Sequence, residues 1–107
     1  MIRYESIQFF GQPIVDVTKS RAVKVELLTR ISDPTIVDLE AFFEQLTPEE
    51  SLGLTVAQYE VGRDFYRRTE VPCAVNVDNK VLLNDGTRRL LLETVHGNTV
   101  QIGRAHV

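Results

Sequence analysis

Two segments near the start of the chain alternate between apolar and polar residues, which predicts two β-strands. The first, SIQFFGQPIVDV, covers residues 6–17, and the second, AVKVELLTRI, covers residues 22–31. The short turn-like sequence TKSR lies between them, so a hairpin is the simplest connection. Pro13 places the first strand at an edge or a bulge of the sheet, because proline cannot donate a hydrogen bond to a ladder.

The second predicted strand carries charged residues on one of its faces, since successive side chains of a strand point to opposite faces. Its apolar face holds Val23, Val25 and Leu27. Its other face holds Lys24, Glu26, Leu28 and Arg30. Four residues at about 3.3 Å each separate the backbones of Glu26 and Arg30 by roughly 13 Å. The two charges are therefore either both solvated or bound to separate partners.

Apolar residues then recur at helical spacing, which predicts two helices. The first has its apolar stripe at Leu39, Phe42, Phe43 and Leu46. The second begins at TPEE, where Thr47 is the N-cap, Pro48 is the first helical residue and Glu50 completes a capping box. We expect this longer helix to end near Arg68.

The remaining chain alternates strand and helix. The segment VPCAVNVDN, residues 71–79, predicts a third strand with its apolar odd-numbered side chains facing helices. A helix follows over DGTRRLLLETVHGN, capped by Asp85 or Thr87 and ended by Gly97, and TVQI predicts the start of a fourth strand. This order predicts a parallel α/β sheet preceded by one hairpin strand. The predicted core consists of Val23, Val25, Leu27, Phe42, Phe43, Val75 and Leu91.

Composition narrows the class of protein. The chain has 107 residues, 43% of them apolar, which suits one small folded domain. A net charge of −3 without a basic run argues against binding to DNA or RNA. No apolar run approaches the ~18 residues of a membrane span, and the N-terminal residues do not resemble a signal peptide. A single cysteine, Cys73, excludes an internal disulfide, so we expect a cytoplasmic protein.

Three segments, in this order, resemble motifs of the EAL domain family: QPIVDV at residues 12–17, ELLTR at residues 26–30, and AVNVDN at residues 74–79. The first resembles the family sequence QPIVDL. The second resembles the motif E-A-L-x-R, with Leu27 in place of the alanine. The third has Asn76 where the family places an asparagine on a strand. The resemblance covers most of residues 4–101.

The resemblance implies a fold, a reaction and site residues. EAL domains are bacterial signalling phosphodiesterases that hydrolyse cyclic di-GMP to linear pGpG, on a (β/α)8 TIM-like barrel whose first strand is antiparallel. By that resemblance, Glu26 and Asn76 bind Mg²⁺ or Mn²⁺, for which their oxygens are suitable ligands. Arg30 then binds a substrate phosphate, and Gln12 and Leu28 line the nucleotide site. The resemblance also allows a homodimer of the full-length parent.

The later family motifs, which supply the other metal ligands and the water-activating groups, are not found. We therefore expect residues 1–101 to be the N-terminal part of an EAL domain, an incomplete barrel without activity as given. One interpretation makes LLLETV the next metal strand with Glu93 as a ligand, but only 17 positions separate it from Asn76. That spacing is tight for a helical crossover and a strand, which favours a helix there.

Residues 102–107, IGRAHV, match the translation of a common sequencing adapter. We expect them to be a non-native tail, with a short native tail as the alternative.

Two other interpretations of the chain remain open. One is a degenerate EAL module that binds cyclic di-GMP or a protein without catalysis, and the other is an unrelated small α/β domain. Cys73 is expected to be a buried hydrophobe, His96 a solvated residue, and Asp78 either a cap or a neighbour of the site.

Overall fold

The computed structural model describes residues 6–95 and 100–104, and side-chain burial for residues 6–95. Four strands and four helices lie in this part of the chain. The strands are β1 (Ile7–Asp16), β2 (Arg21–Ile31), β3 (Cys73–Val77) and β4 (Val100–Arg104). The helices are α1 (Leu39–Gln45), α2 (Pro48–Thr69), α3 (Asn79–Leu83) and α4 (Asp85–Thr94). None of the helices within the described ranges is long and apolar enough to cross a membrane.

The strands form one sheet in the order β1-β2-β3-β4. β1 pairs with β2 in antiparallel orientation, whereas β2, β3 and β4 run parallel to one another. This arrangement confirms the predicted hairpin followed by a parallel α/β sheet. Pro13 lies on β1, which is at one end of the strand order, so its missing N–H does not interrupt a central ladder.

The turn of the hairpin is stabilised by Asp16. Its carboxylate accepts hydrogen bonds from the backbone N–H of Thr18 at 2.9 Å and from the Thr18 hydroxyl at 2.6 Å. These hydrogen bonds lower the pKa of Asp16. Ser20 closes the turn with a φ of 51°, a left-handed backbone conformation that tight turns require.

The main core lies between the sheet and α2. Val25 and Leu27 of β2 pack with Cys73 and Val75 of β3 and with Tyr59 of α2, and all five are buried. The odd-numbered face of β2 and β3 is therefore covered, as the alternation predicts. On the opposite face of β2, Glu26 is half-buried, and Leu28 and Arg30 are exposed. The period of two thus leaves the polar face of β2 accessible.

The start of α2 follows the local sequence signal. The Thr47 side chain accepts from the Glu50 backbone N–H at 3.1 Å, and the Glu50 carboxylate accepts from the Thr47 N–H at 3.0 Å. This is the predicted capping box, with Pro48 at the start of the helix. The helix ends at Thr69, and Glu70 follows with a left-handed φ of 60°. The predicted end near Arg68 is thus one residue early.

Several predicted details are wrong. Val23 is 38% exposed and does not belong to the core, because it precedes the stretch of β2 that pairs with β3. Phe42 and Phe43 are only half-buried and pack against a smaller cluster of Leu46 and Leu54. Val25, Leu27, Val75 and Leu91 are buried as predicted.

The segment after β3 also differs from the prediction. A short helix, α3, precedes α4, and the N-cap of α4 is Asn84 instead of Asp85 or Thr87. Asn84 Oδ1 accepts from the Thr87 N–H at 3.0 Å, and the buried Thr87 hydroxyl donates to the carbonyl of Val81 at 2.7 Å. The hydroxyl therefore joins the two helices, and α4 ends at Thr94. The predicted terminator Gly97 lies outside the described residues, as does His96.

Strand β4 extends the predicted TVQI strand as far as Arg104. Its last three residues pair with β3 in the register Val75↔Ile102, Asn76↔Gly103 and Val77↔Arg104. Residues 102–104 of the suspected tail are thus part of the sheet. Their pairing does not test whether they are native, and that hypothesis stays a prediction.

Candidate functional site

Three of the predicted site residues lie in a row across the polar face of the sheet. Gln12 of β1 is directly opposite Glu26 of β2, and Glu26 is in register with Ala74 of β3. Asn76 follows Ala74 by two residues and so points to the same face. Its Nδ2 atom lies 3.4 Å from Glu26 Oε1 in a part-buried hydrogen bond. The structure therefore brings together the carboxylate and the amide that the sequence analysis assigned to a metal.

The side chains of Glu26 and Asn76 supply part of the oxygen ligand set that a hard divalent cation requires. Rotation of the Asn76 amide group by half a turn exchanges the positions of Nδ2 and Oδ1. One oxygen of Asn76 and one oxygen of Glu26 then face the same position. Mg²⁺ requires near-octahedral coordination by oxygen, so two protein ligands leave several positions for water or other groups. Among residues 6–95 and 100–104, no three His, Cys, Asp or Glu side chains are grouped as metal ligands. The described residues thus supply a partial ligand set.

The strand beyond β3 adds no carboxylate to this row. In the β3–β4 register, the residue beside Asn76 is Gly103 and the residue beside Ala74 is Gln101. A carboxylate from β4 at the position level with Asn76 is therefore absent. Glu93, the other candidate for a ligand from this part of the chain, lies on α4, so the interpretation of LLLETV as a strand is wrong.

Arg30 stacks on the ring of Phe10, whereas Glu26 contacts Asn76. Arg30 is an exposed residue, and its guanidinium carbon lies 4.7 Å from the centre of the Phe10 ring. Phe10 is paired with Leu28, and Gln8 with Arg30, in the antiparallel register. Stacking on the ring orients the guanidinium while its N–H groups remain available to an anion.

Phe10 is a residue that the sequence analysis missed. A register count could have found it, because Gln12 opposite Glu26 puts Phe10 opposite Leu28. Leu28 is 37% exposed and Phe10 is 44% exposed. Together they form a small apolar surface between Glu26 and Arg30, suitable for contact with a flat ligand.

A cavity of about 510 Å³ lies beside this row, where the carboxyl ends of β2 and β3 meet α1 and α2. Leu28 and Asn76 border it, so it adjoins the polar face. Ligand sites of α/β folds are found at this end of parallel strands. Gln58 of α2 also lines the cavity, and its Nε2 donates to the Thr29 hydroxyl.

Lys80 stabilises the C-terminal end of α1, a helix that borders the cavity. Its ammonium group donates to three backbone carbonyl oxygens, those of Phe43 at 2.7 Å, Glu44 at 3.1 Å and Leu46 at 3.0 Å. These carbonyls lie at the C-terminal end of α1, where a cation is favourable. Neither Lys80 nor Gln58 was predicted, because each acts across more than 25 residues of sequence.

The other candidates have structural roles. Asp78 is the N-cap of α3, and its carboxylate accepts from the Lys80 N–H at 2.9 Å. The cap role is therefore confirmed. Asp78 also lines the cavity, and a role beside the site stays a prediction. Cys73 is fully buried, and burial raises the pKa of its thiol. A buried thiol with a raised pKa is a poor nucleophile, which agrees with a packing role.

Comparison with known proteins gives a structural match. No protein-family model matches the sequence, and no curated protein matches it. Among solved structures, the fold is similar to that of the EAL enzyme Bd1971 in a form bound to cAMP and cyclic di-GMP, with a TM-score of 0.63 and 14% sequence identity. The match covers 92% of this chain and 32% of the Bd1971 chain, so the chain spans about a third of that protein.

At this level of identity the similarity concerns the fold. The described chain is therefore similar in fold to part of that structure, and its hairpin strand followed by parallel strands agrees with a TIM-like α/β arrangement. This agrees with the fold class that the three sequence motifs implied.

Proposed function

We propose that the chain is part of an EAL-type domain that binds cyclic di-GMP, and that its parent protein hydrolyses this dinucleotide to linear pGpG. The observation that carries the proposal is the contact between Glu26 and Asn76 on the accessible face of the sheet. This contact joins two motifs that are widely separated in sequence, which supports the proposal. The fold similarity to an EAL enzyme supports the same proposal.

In this proposal Glu26 and Asn76 hold Mg²⁺ or Mn²⁺ through their side-chain oxygens. When bound, such a metal supplies Lewis-acid stabilisation of phosphate charge and lowers the pKa of a bound water. Arg30, oriented by Phe10, holds a phosphate of the substrate through its planar fork of N–H groups. Gln12 offers an amide on the same face as Glu26, and Leu28 offers an apolar contact to the nucleotide.

The described residues hold two ligands of a metal site, so we expect the chain by itself not to turn over cyclic di-GMP. Catalysis of this kind needs a metal fixed tightly enough to orient a water molecule against the phosphate. A cation held by one carboxylate and one amide retains most of its water and is bound weakly. Binding and hydrolysis are thus separable properties of this chain.

The second candidate function is a degenerate EAL module that binds cyclic di-GMP or a protein without hydrolysis. If residues 102–107 are native, Gly103 beside Asn76 favours this alternative, because a glycine offers no ligand where a third metal-binding side chain would complete the row. The two functions share Gln12, Leu28 and Arg30 but differ in the need for a metal. Metal dependence therefore discriminates between them.

The test measures binding and hydrolysis separately. Binding of a fluorescent cyclic di-GMP analogue is titrated with and without Mn²⁺, and formation of pGpG is followed by chromatography. We expect binding that weakens at least about tenfold in Arg30→Ala, the loss of one charge-assisted phosphate contact. The matched control is Arg67→Ala on the exposed side of α2, which should bind as the unaltered chain does.

The outcomes decide both parts of the proposal. Equal binding by Arg30→Ala and the unaltered chain would contradict the nucleotide site. Binding that Mn²⁺ strengthens, and that Glu26→Gln makes independent of Mn²⁺, favours the phosphodiesterase parent over the degenerate module. Clear formation of pGpG that disappears in Glu26→Ala would show that the chain is active by itself, against our expectation.

A further inference from the structure

Helix α4 has an exposed outer face, opposite the face that packs on the core. Leu91 points to the core and is 3% exposed. Successive residues of an α-helix advance by about 100° around its axis, so Arg89 and Glu93 lie on the side opposite Leu91, one turn apart. Leu92 lies about 60° from Arg89 around the axis and is 70% exposed. The outer face therefore combines two charged residues with a large apolar side chain.

The charged residues of this face differ in whether they have a partner. A surface depression is bordered by Asp85, Arg88, Arg89, Leu92 and Glu93. Arg88 pairs with Asp85 at 2.8 Å. Arg89 and Glu93 form no ion pair with each other or with another residue of the described ranges. Their order along the helix disfavours an internal pair, because a cation four residues before an anion is the weaker arrangement. Both charges are thus available to a partner.

A second copy of α4 in antiparallel orientation is complementary to this face. A twofold axis level with Leu91 places each residue opposite the one that lies equally far on the other side of Leu91. Arg89 of each copy then lies opposite Glu93 of the other, which makes a symmetric set of ion pairs. Leu92 of each copy is one residue from the axis, so the two leucines are offset by only about 3 Å along the helices and can pack together. A twofold interface requires this kind of self-complementary surface.

The charges select this register over its alternatives. An axis level with Arg89 brings Arg89 against its own copy and Glu93 against Asp85, so like charges are opposed. A parallel pair of helices opposes each residue to itself and is repulsive for the same reason. Because repulsion excludes these arrangements, the surface specifies the antiparallel pairing about Leu91.

We propose that the outer face of α4 is a homodimer interface of this chain, in which Arg89 pairs with Glu93 across the twofold axis and Leu92 packs on its own copy. A helix of ten residues is about 15 Å long, so the interface is small and the dimer weak and reversible. The inference does not rest on the proposed function. No residue of α4 lines the cavity beside Asn76, and the test contains no nucleotide.

Sedimentation equilibrium of the full chain, from about 10 µM to 1 mM, tests the proposal. We expect a monomer–dimer equilibrium with a dissociation constant between about 50 µM and 1 mM. Arg89→Glu and Glu93→Arg each oppose like charges, so each should weaken the dimer at least about tenfold. A chain that stays monomeric throughout would overturn the proposal. Association that is equally strong in both variants would place the contact on another surface, such as an open sheet edge, and would also overturn it.

A mixture of the two charge-reversal variants tests the register. The carboxylates of one variant then face the guanidinium groups of the other, so a heterodimer should form about as readily as the dimer of the unaltered chain. The double variant Arg89→Glu, Glu93→Arg should form a homodimer for the same reason. If circular dichroism shows that the variants are folded and neither combination restores association, the antiparallel pairing is wrong.

Matched controls come from residues that face elsewhere. Glu60→Arg and Arg67→Glu reverse exposed charges on α2 and should leave the dissociation constant unchanged. Leu92→Ser should weaken the dimer about fivefold or more, because it removes the apolar contact. Leu90→Ser should have little effect, since Leu90 is 52% exposed but lies about 200° from Leu92 around the helix. Equal effects of the two serine substitutions would overturn the assignment of this face of α4.

Discussion

Asn76 and Glu26 are fifty residues apart in sequence, yet the Asn76 amide nitrogen lies 3.4 Å from a carboxylate oxygen of Glu26. The contact exists because β2 and β3 are adjacent and parallel, with Glu26 in register with Ala74. Each residue alone is an unremarkable polar side chain on a strand. Their contact places a carboxylate and an amide together at the accessible face of the sheet.

This contact predicts that Asn76→Asp makes folding depend on divalent cations. Two carboxylates at this distance repel each other, which should destabilise the chain by about 1 kcal/mol or more without metal. Mn²⁺ should restore the loss, since it binds between the two carboxylates. Thermal unfolding with and without Mn²⁺ measures the effect. The control Asn79→Asp, at the start of α3, should show no specific response to Mn²⁺, and an equal response of the two variants would contradict the site.

Lys80 is predicted to stabilise the chain through the end of α1. Lys80→Met keeps the apolar stem and removes the donor to three carbonyl oxygens. We expect a loss of about 1–3 kcal/mol, because those carbonyls lose a charged partner at a partly buried position. Hydrogen exchange should increase first in α1, Leu39–Gln45. Lys19→Met in the exposed hairpin turn is the matched control, and unchanged exchange in α1 would show that Lys80 does not hold this helix.

Gly11 is required by close contact between the strands of the hairpin. A Cβ at this position would lie 2.7 Å from Val25 Cγ1, closer than such atoms approach in proteins. Gly11→Ala should therefore destabilise the chain by roughly 1–3 kcal/mol, as overpacking does. Denaturant unfolding measures the loss. In the double variant Gly11→Ala, Val25→Ala, the two losses should be less than additive, because the second change removes the clashing methyl group. Simple additivity would exclude this contact as the cause.

The capping box of α2 predicts a pH dependence. The hydrogen bond from the Thr47 backbone N–H lowers the pKa of Glu50 in the folded chain. A lowered folded-state pKa gives stability that is present above the unfolded-state value and is lost as the pH falls through the folded-state value. The contribution of Glu50 should therefore be complete near pH 7 and be lost as the pH falls below the ordinary pKa of a glutamate carboxyl. Denaturant midpoints across this range should decrease less steeply in Glu50→Gln than in the unaltered chain. Glu60→Gln is the control, and a slope identical to that of Glu50→Gln would contradict the assignment.

Local patterns in the sequence were sufficient to predict most of the elements. Alternation placed Glu26 and Arg30 on the accessible face of β2, because the side-chain period of a strand is two. The Thr47–Glu50 capping box identified the start of α2 to the residue, because its hydrogen bonds join positions three apart. Helix α3 was missed because five residues are too few to show a helical period.

The contacts that define the candidate functional site could not be predicted from local patterns. The sequence by itself determined which side chains face away from the core and which motifs resemble an EAL domain. The resemblance implied that Glu26 and Asn76 share a metal. Only the tertiary structure decided that their side chains are in direct contact, that Phe10 supports Arg30, and that Lys80 binds the end of α1. The reason is physical: these contacts depend on strand register and on the packing of helices against the sheet, which arise from burial of the whole core. The cavity beside Gln58 is likewise a space between elements, which no one segment of the sequence encodes.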